Sequence, residues 1–105
     1  MTTAIFPSLA NKTVVVTGGG SGIGAEIVRG FVGQKARVFF LDIAEEESRL
    51  LVDRLEGAPQ FFRCDLTDIP ALQAAFAAIE AKAGPVSVLV NNAAINRGDN
   101  FATTT

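Results

Sequence analysis

Apolar and polar residues along the chain follow two alternating periods. Residues 13–17 (TVVVT) are a β-branched run, apolar without alternation, as in a parallel strand buried on both faces. The glycines of 18–22 (GGGSG) break it. From Ile23 to Val32 the apolar positions Ile23, Ile27, Val28 and Phe31 fall at helical spacing and predict a helix. Gly30 and Gly33 weaken that helix by about 1 kcal/mol each relative to Ala, tolerable where a helix packs closely on a sheet. Residues 37–41 (RVFFL) predict a second strand ending at Asp42. Residues 44–57 (AEEESRLLVDRLEG) place three glutamates in a first turn, where the helix dipole favours them. Glu45 with Arg49, and Leu51 with Leu55, stand four apart, as on a surface helix with one apolar face. Gly57 is expected to end it as the C′ residue. Residues 60–64 (QFFRC) predict a third strand. Thr67 or Asp68 caps a third helix, with Pro70 in its first turn and Leu72, Phe76, Ile79 and Ala83 as its core stripe. Gly84-Pro85 stops it. Residues 86–90 (VSVLV) predict a fourth strand, followed by the polar loop NNAAINRGDN.

The resulting β-α-β-α-β-α-β order predicts an α/β fold, a doubly wound parallel sheet with helices on both faces, because parallel neighbours need crossover helices. Right-handed crossovers leave few topologies, and the expected strand order is 3-2-1-4, the first half of a Rossmann-type sheet plus one strand. The 105 residues make one domain, here a partial one.

Composition narrows the function. Hydrophobic residues form 49% of the chain and charged residues 19%, which supports a packed core rather than disorder. The net charge of −2, with scattered basic residues, argues against nucleic acid as a partner. No apolar stretch approaches the ~18 residues that span a bilayer, so no membrane is expected. MTTAIFPSLANK lacks the pattern of a signal peptide. The single cysteine, Cys64, fits a reducing cytoplasm. The chain has no His, Trp or Tyr, which removes His acid–base catalysis, His metal sites and tyrosine chemistry from these residues.

The chemistry concentrates where strands end. Thr17-Gly18-Gly19-Gly20-Ser21-Gly22-Ile23-Gly24 joins the first strand to the first helix. Glycines let the backbone turn tightly and approach a pyrophosphate, and the helix start offers unpaired N–H groups and a positive dipole end. A phosphate loop of the other common type is excluded, because no Lys-Ser or Lys-Thr follows the glycines. Asp42, 18 residues past Gly24, stands where an acid accepts hydrogen bonds from an adenosine ribose. A carboxylate there repels the 2′-phosphate of NADP. Ile43 and Ala44 follow in place of a cation, which favours NAD. The alternative is a solvated loop Asp or a helix N-cap. Asp65 ends the third strand and, alone, reads as a capping or turn residue. Asn91 and Asn92 end the fourth, where open α/β sheets place ligands, or form a turn pair. Gly18, Asp42, Asp65 and Asn91 together line one rim.

TGGGSGIG, the acid after the second strand, CDL after the third and NNAA after the fourth resemble the successive signatures of the short-chain dehydrogenase/reductase family over roughly residues 8–96. The resemblance implies a nicotinamide-dependent oxidoreductase moving hydride between the cofactor and a hydroxyl or carbonyl substrate, with Asp42 favouring NAD as that cofactor. It assigns Gly18, Ser21, Gly22, Ile23 and Gly24 to the pyrophosphate and Asp42 to the adenosine ribose. Asp65 and Leu66 go to the adenine, and Asn92, Ala93 and Ala94 to the ribose on the nicotinamide side. Asn91 is expected to tie the central strands together. The sequence departs from the pattern at Ala94, where glycine is usual, at Lys35, where a glycine often closes the first helix, and at Asn11. If Lys35 needs a positive φ it costs about 1 kcal/mol or more, whereas Asn tolerates that region. The wording PSLANKTVVVTGGGSGIG, FLDIAEEESR and RCDLTDIPAL resembles a sugar (aldose) dehydrogenase branch, although INRGDNF departs from it.

The family's catalytic set is an Asn after the fourth strand, a later Ser and a Tyr-x-x-x-Lys pair. With no Tyr in the chain, no catalytic residue is assigned here, and these residues alone are expected to be inactive. The apolar fourth strand would have a bare edge. The first reading is therefore the cofactor half of a dehydrogenase of about 250 residues, expected to form a homo-oligomer when full length. The alternatives are a stand-alone NAD or adenine-nucleotide binding module, and an inactive split fragment.

Overall fold

The structure, a computed structural model, describes residues 9–20 and 22–92. Seven elements follow in order: β1 (Thr13–Thr17), α1 (Gly22–Gly33), β2 (Arg37–Asp42), α2 (Glu45–Arg54), β3 (Gln60–Arg63), α3 (Ile69–Ala83) and β4 (Val88–Asn91). The four strands form one sheet in the order β3-β2-β1-β4, and every pairing is parallel. All carboxyl ends therefore lie along one rim, as the α/β reading requires.

The apolar runs are explained by cover on both faces. Val14 and Val16 of β1 and Val38 and Phe40 of β2 pack with Ala25 and Val28 of α1 and Leu51 of α2. Val15, Phe39 and Leu41 point the other way, onto Ile79 of α3, with Leu72 and Phe76 at its edge. Successive strand residues face opposite sides, so a strand covered twice must be apolar at every position. Two ring pairs bridge β2 and β3: Phe40–Phe61 at 5.4 Å and Phe39–Phe62 at 6.2 Å between centroids.

Differences from the sequence reading have local causes. The fourth strand runs from Val88 rather than Val86, because β1 sets its partners: Val14 pairs with Val88 and Thr17 with Asn91. Val86 packs instead beside α3. The third strand stops at Arg63, opposite Asp42, and Cys64 follows with its N–H on the Asp42 carbonyl at 3.0 Å. Ile23 does not join the core stripe; it is 74% exposed. Gly30 and Gly33 owe nothing to close packing, since a Cβ on either would meet no atom within 4 Å. Gly57 is not the C′ residue of α2. Leu55 is the C-cap, Glu56 takes the left-handed φ of 57°, and Gly57 follows it. The Gly57 N–H reaches the Val52 carbonyl at 2.9 Å and the Glu56 N–H that of Asp53 at 3.1 Å, the paired bonds of a Schellman end. α1 ends in the same way: Lys35, with φ 67°, donates to Val32, and Ala36 donates to Phe31. Asn11 also takes a positive φ, 65°.

Asp68 caps α3, its carboxylate accepting the Ala71 N–H at 3.1 Å, with Pro70 in the first turn and Gly84 at the end. Among the described residues no helix is long and apolar enough to cross a membrane.

Candidate functional site

The rim is organised around the turn from β1 into α1. Gly18 leaves the sheet with φ 70°, its N–H on the Leu41 carbonyl at 2.7 Å, so the turn is anchored to β2. Gly22 opens α1 with φ 59°, and the space a Cβ would fill beside it is empty. Both conformations suit glycine, the residue without a Cβ to clash. The first turn of α1 has backbone N–H groups with no intrahelical acceptor and carries the positive end of the dipole.

Close approach explains three further glycines. A Cβ on Gly24 would overlap the Gly18 carbonyl oxygen and lie 2.8 Å from Asn92 Nδ2. One on Gly19 would press 2.7 Å from Phe40 Cβ. One on Gly20 would overlap Ser48 Oγ and lie 2.9 Å from Asp42 Oδ2. The loop is thus folded down onto β2, α2 and the end of β4, with only its outer side open.

Asp42 is the electrostatic centre of this arrangement. Its Oδ2 accepts the Gly20 N–H at 2.8 Å and its Oδ1 accepts the Ala44 N–H at 2.9 Å. The carboxylate therefore clamps the glycine loop and turns the chain into α2. A carboxylate offers about four lone-pair sites, so this use leaves acceptor capacity for hydroxyl donors. The solvated-loop alternative does not hold, and a side-chain cap of α2 is absent: Ala44 is the N-cap and makes no side-chain bond there.

At the end of β4 the two asparagines divide their work. Thr17 Oγ1 donates to Asn91 Oδ1 at 2.9 Å, tying β1 to β4 as expected. Asn92 Nδ2 donates to the Gly18 carbonyl at 3.1 Å, so this side chain supports the loop from below. Asp65 stands exposed after β3. Its Oδ1 accepts the Thr67 hydroxyl at 2.6 Å and the Thr67 N–H at 2.9 Å, which makes it a turn residue. The Thr67 hydroxyl, then the Thr67 N–H, with Arg63 nearby, hold its carboxyl below the ordinary aspartate range. Leu66 is half-buried against the α3 side of the core. Cys64 is buried, and desolvation, then Asp68 and Asp65, push its thiol up, away from reactivity. Ser21, Ala93 and Ala94 lie outside the described residues.

The structure thus brings Gly18, Gly22, Gly24, Asp42 and Asn92 together, with Ile23 exposed beside them and Asp65 and Leu66 farther along the rim. Sequence reasoning missed Gly20 and Ser48. Gly20 could have been found as a loop glycine facing the acid. Ser48 carried only one signal, a small polar residue on the apolar face of α2.

Comparison with known proteins identifies the family and the fold. The short chain dehydrogenase family profile matches residues 12–105. D-xylose 1-dehydrogenase of Caulobacter vibrioides is 54% identical over 96 residues, covering 89% of this chain and 37% of that protein. A probable galactose dehydrogenase of Rhizobium meliloti is 50% identical over 93 residues, with 85% and 36% covered. This chain thus spans little more than a third of the length of these relatives. Among solved structures, a metagenomic short-chain oxidoreductase in complex with NADP superposes with a TM-score of 0.79 at 34% identity, over 84% of this chain and 41% of that one. The actinorhodin polyketide ketoreductase with NADPH gives 0.75 at 35% identity, over 88% and 36%. On the strand order, the loop geometry and these matches, the chain belongs to the short chain dehydrogenase family.

Proposed function

We propose that this chain is the cofactor-binding part of an NAD-dependent dehydrogenase acting on the hydroxyl or carbonyl of a sugar. The observation that supports it is the Asp42 carboxylate at the tip of β2, held by Gly20 and Ala44 with acceptor capacity to spare. Two vicinal ribose hydroxyls suit such an acceptor; a 2′-phosphate would be repelled by it. The nearest cation on the neighbouring strand, Arg63, stands opposite Asp42 in register, and Glu45 takes its guanidinium at 3.7 Å. An exposed pair of that length contributes little, so the preference for NAD rests on Asp42 rather than on Arg63; two structural neighbours are described with NADP or NADPH.

The residues present fit the cofactor. Gly18, Ser21, Gly22, Ile23 and Gly24 would hold the pyrophosphate against the α1 N-terminus, and the open side of Gly22 leaves room for it. Asp65 and Leu66 would border the adenine, and Asn92, Ala93 and Ala94 the ribose on the nicotinamide side. When bound, NAD supplies the hydride acceptor; these residues bind and orient it. The chain has no tyrosine, so the reading gives residues 1–105 alone no turnover and places acid–base work elsewhere in a full-length protein. The sugar substrate follows the two sugar dehydrogenases among the relatives. A cytoplasmic setting and self-association of the full-length enzyme belong to the same reading.

The test is calorimetric titration of the intact protein with NAD and NADP. NAD should bind at least ~10-fold more tightly, and Asp42→Ala should weaken NAD by ~10-fold or more, the worth of hydrogen bonds to a charged group. Equal affinity for both cofactors, unchanged in Asp42→Ala, refutes the reading.

A further inference from the structure

The second turn of α2 carries a group that the loop does not yet use. Ser48 is completely buried, its N–H bonded to the Ala44 carbonyl at 3.1 Å, and its hydroxyl has no hydrogen-bond partner. Buried hydroxyls are ordinarily paired, because an unpaired one has lost water and gained nothing. The hydroxyl faces the glycine loop: the point where a Cβ on Gly20 would sit touches Ser48 Oγ and lies 2.9 Å from Asp42 Oδ2. Gly20, Asp42 and Ser48 therefore converge on one small volume beneath the loop, and Gly20 N–H already occupies Oδ2 from above.

We propose that Ser48 is a positioning residue for the adenosine ribose: its hydroxyl, beneath Gly20, turns to donate to the Asp42 carboxylate when ribose hydroxyls engage that carboxylate. This rests on the ribose role proposed for Asp42. The bonds from Gly20 and Ala44 fill only part of the carboxylate's acceptor capacity, so a further donor behind it fixes the orientation it presents to the ribose. Ser48 is a hydroxyl already dehydrated, beside the loop, with its proton uncommitted. The same arrangement explains why position 20 is glycine: any side chain there would occupy the hydroxyl's place.

The proposal separates binding from stability. In the free protein the hydroxyl is unpaired, so removing it should not destabilise the fold. With ribose bound it is paired, so removing it should weaken binding. Ser48→Ala and the near-isosteric Ser48→Cys are made in the intact full-length protein, and affinities for ADP-ribose and inorganic pyrophosphate are measured beside the melting temperature. The expected result is ~10-fold weaker ADP-ribose binding in both variants, with pyrophosphate affinity unchanged and no fall in melting temperature. Unchanged ADP-ribose affinity in both variants overturns the proposal, as does equal loss for both ligands, which would mark general damage to the loop. Failure of the wild-type protein to bind ADP-ribose would instead remove the ribose role of Asp42, and this inference with it. If Ser48→Ala misfolds, Ser48→Cys, which keeps an atom in the hydroxyl's place with only a weak S–H donor, decides.

Discussion

At the scale of single residues, function rests on missing atoms as much as on present ones. Gly24 is absolute in this respect, because its absent Cβ would overlap the carbonyl of Gly18 within the rigid start of α1. If the loop holds NAD as proposed, Gly24→Ala should push it outward and weaken NAD by ~10-fold or more while the sheet stays folded, read by titration and circular dichroism; wild-type affinity would show that the loop gives way freely. Asp65 offers a pH test. Its carboxyl is held below the ordinary range by Thr67, so the bonds to Thr67 are present above that range and are lost as pH falls through the lowered folded value. Carbon-detected NMR should place the Asp65 midpoint below that of free aspartate, and Thr67→Val, which removes the hydroxyl and keeps the N–H, should raise it part of the way back. An unmoved midpoint in that variant would refute the assignment of cause. The glycines of the rim and both acids could be read in the sequence from their place after strands. The Asp42–Gly20 clamp could not, since its partners are 22 positions apart and meet only when β1 and β2 pair.

Elements follow their local rules, with informative exceptions at the ends. α3 was legible at its end through Gly84 and narrowed at its start to Thr67 or Asp68 before Pro70, and the structure makes Asp68 the cap. The ends of α1 and α2 were harder, since Lys35 and Glu56 adopt positive φ without being glycine. The paired Schellman bonds hold them there at a cost of about 1–2 kcal/mol each. The strand ends at 63 and 88 were invisible for another reason: a strand extends only as far as its neighbour offers partners. Within α1, Gly30 faces open space in the middle of the helix. Gly30→Ala should therefore stabilise the protein by about 1 kcal/mol, measured by urea unfolding; a loss of stability would mean that something packs against this face.

At the scale of the whole molecule, the described residues form a sheet between two helical layers, and their stability is shared through β1 and β2. Phe40 is fully buried between Val28, Leu51 and Phe61, so its removal leaves a cavity that neighbours cannot close. Phe40→Ala should cost about 3–5 kcal/mol in denaturant unfolding, and a cost under about 1 kcal/mol would contradict the packing described. Phe40 also lies directly under Gly19, so the core of the domain is the floor of the loop. A loop this closely seated has its shape decided by the β2 side chains beneath it.

The sequence by itself determined the alternation of strands and helices, the strand order and the identity of most rim residues. Those depend on periodicity, turn chemistry and the handedness of crossovers, all carried by neighbours along the chain. Tertiary structure alone decided which loop glycine meets Asp42, that Asn92 supports Gly18, that Ile23 stands in solvent, and that Ser48 lies unpaired under Gly20. Each of these is a contact or an exposure created when distant segments pack, and spacing along the chain carries no information about it until the sheet has formed.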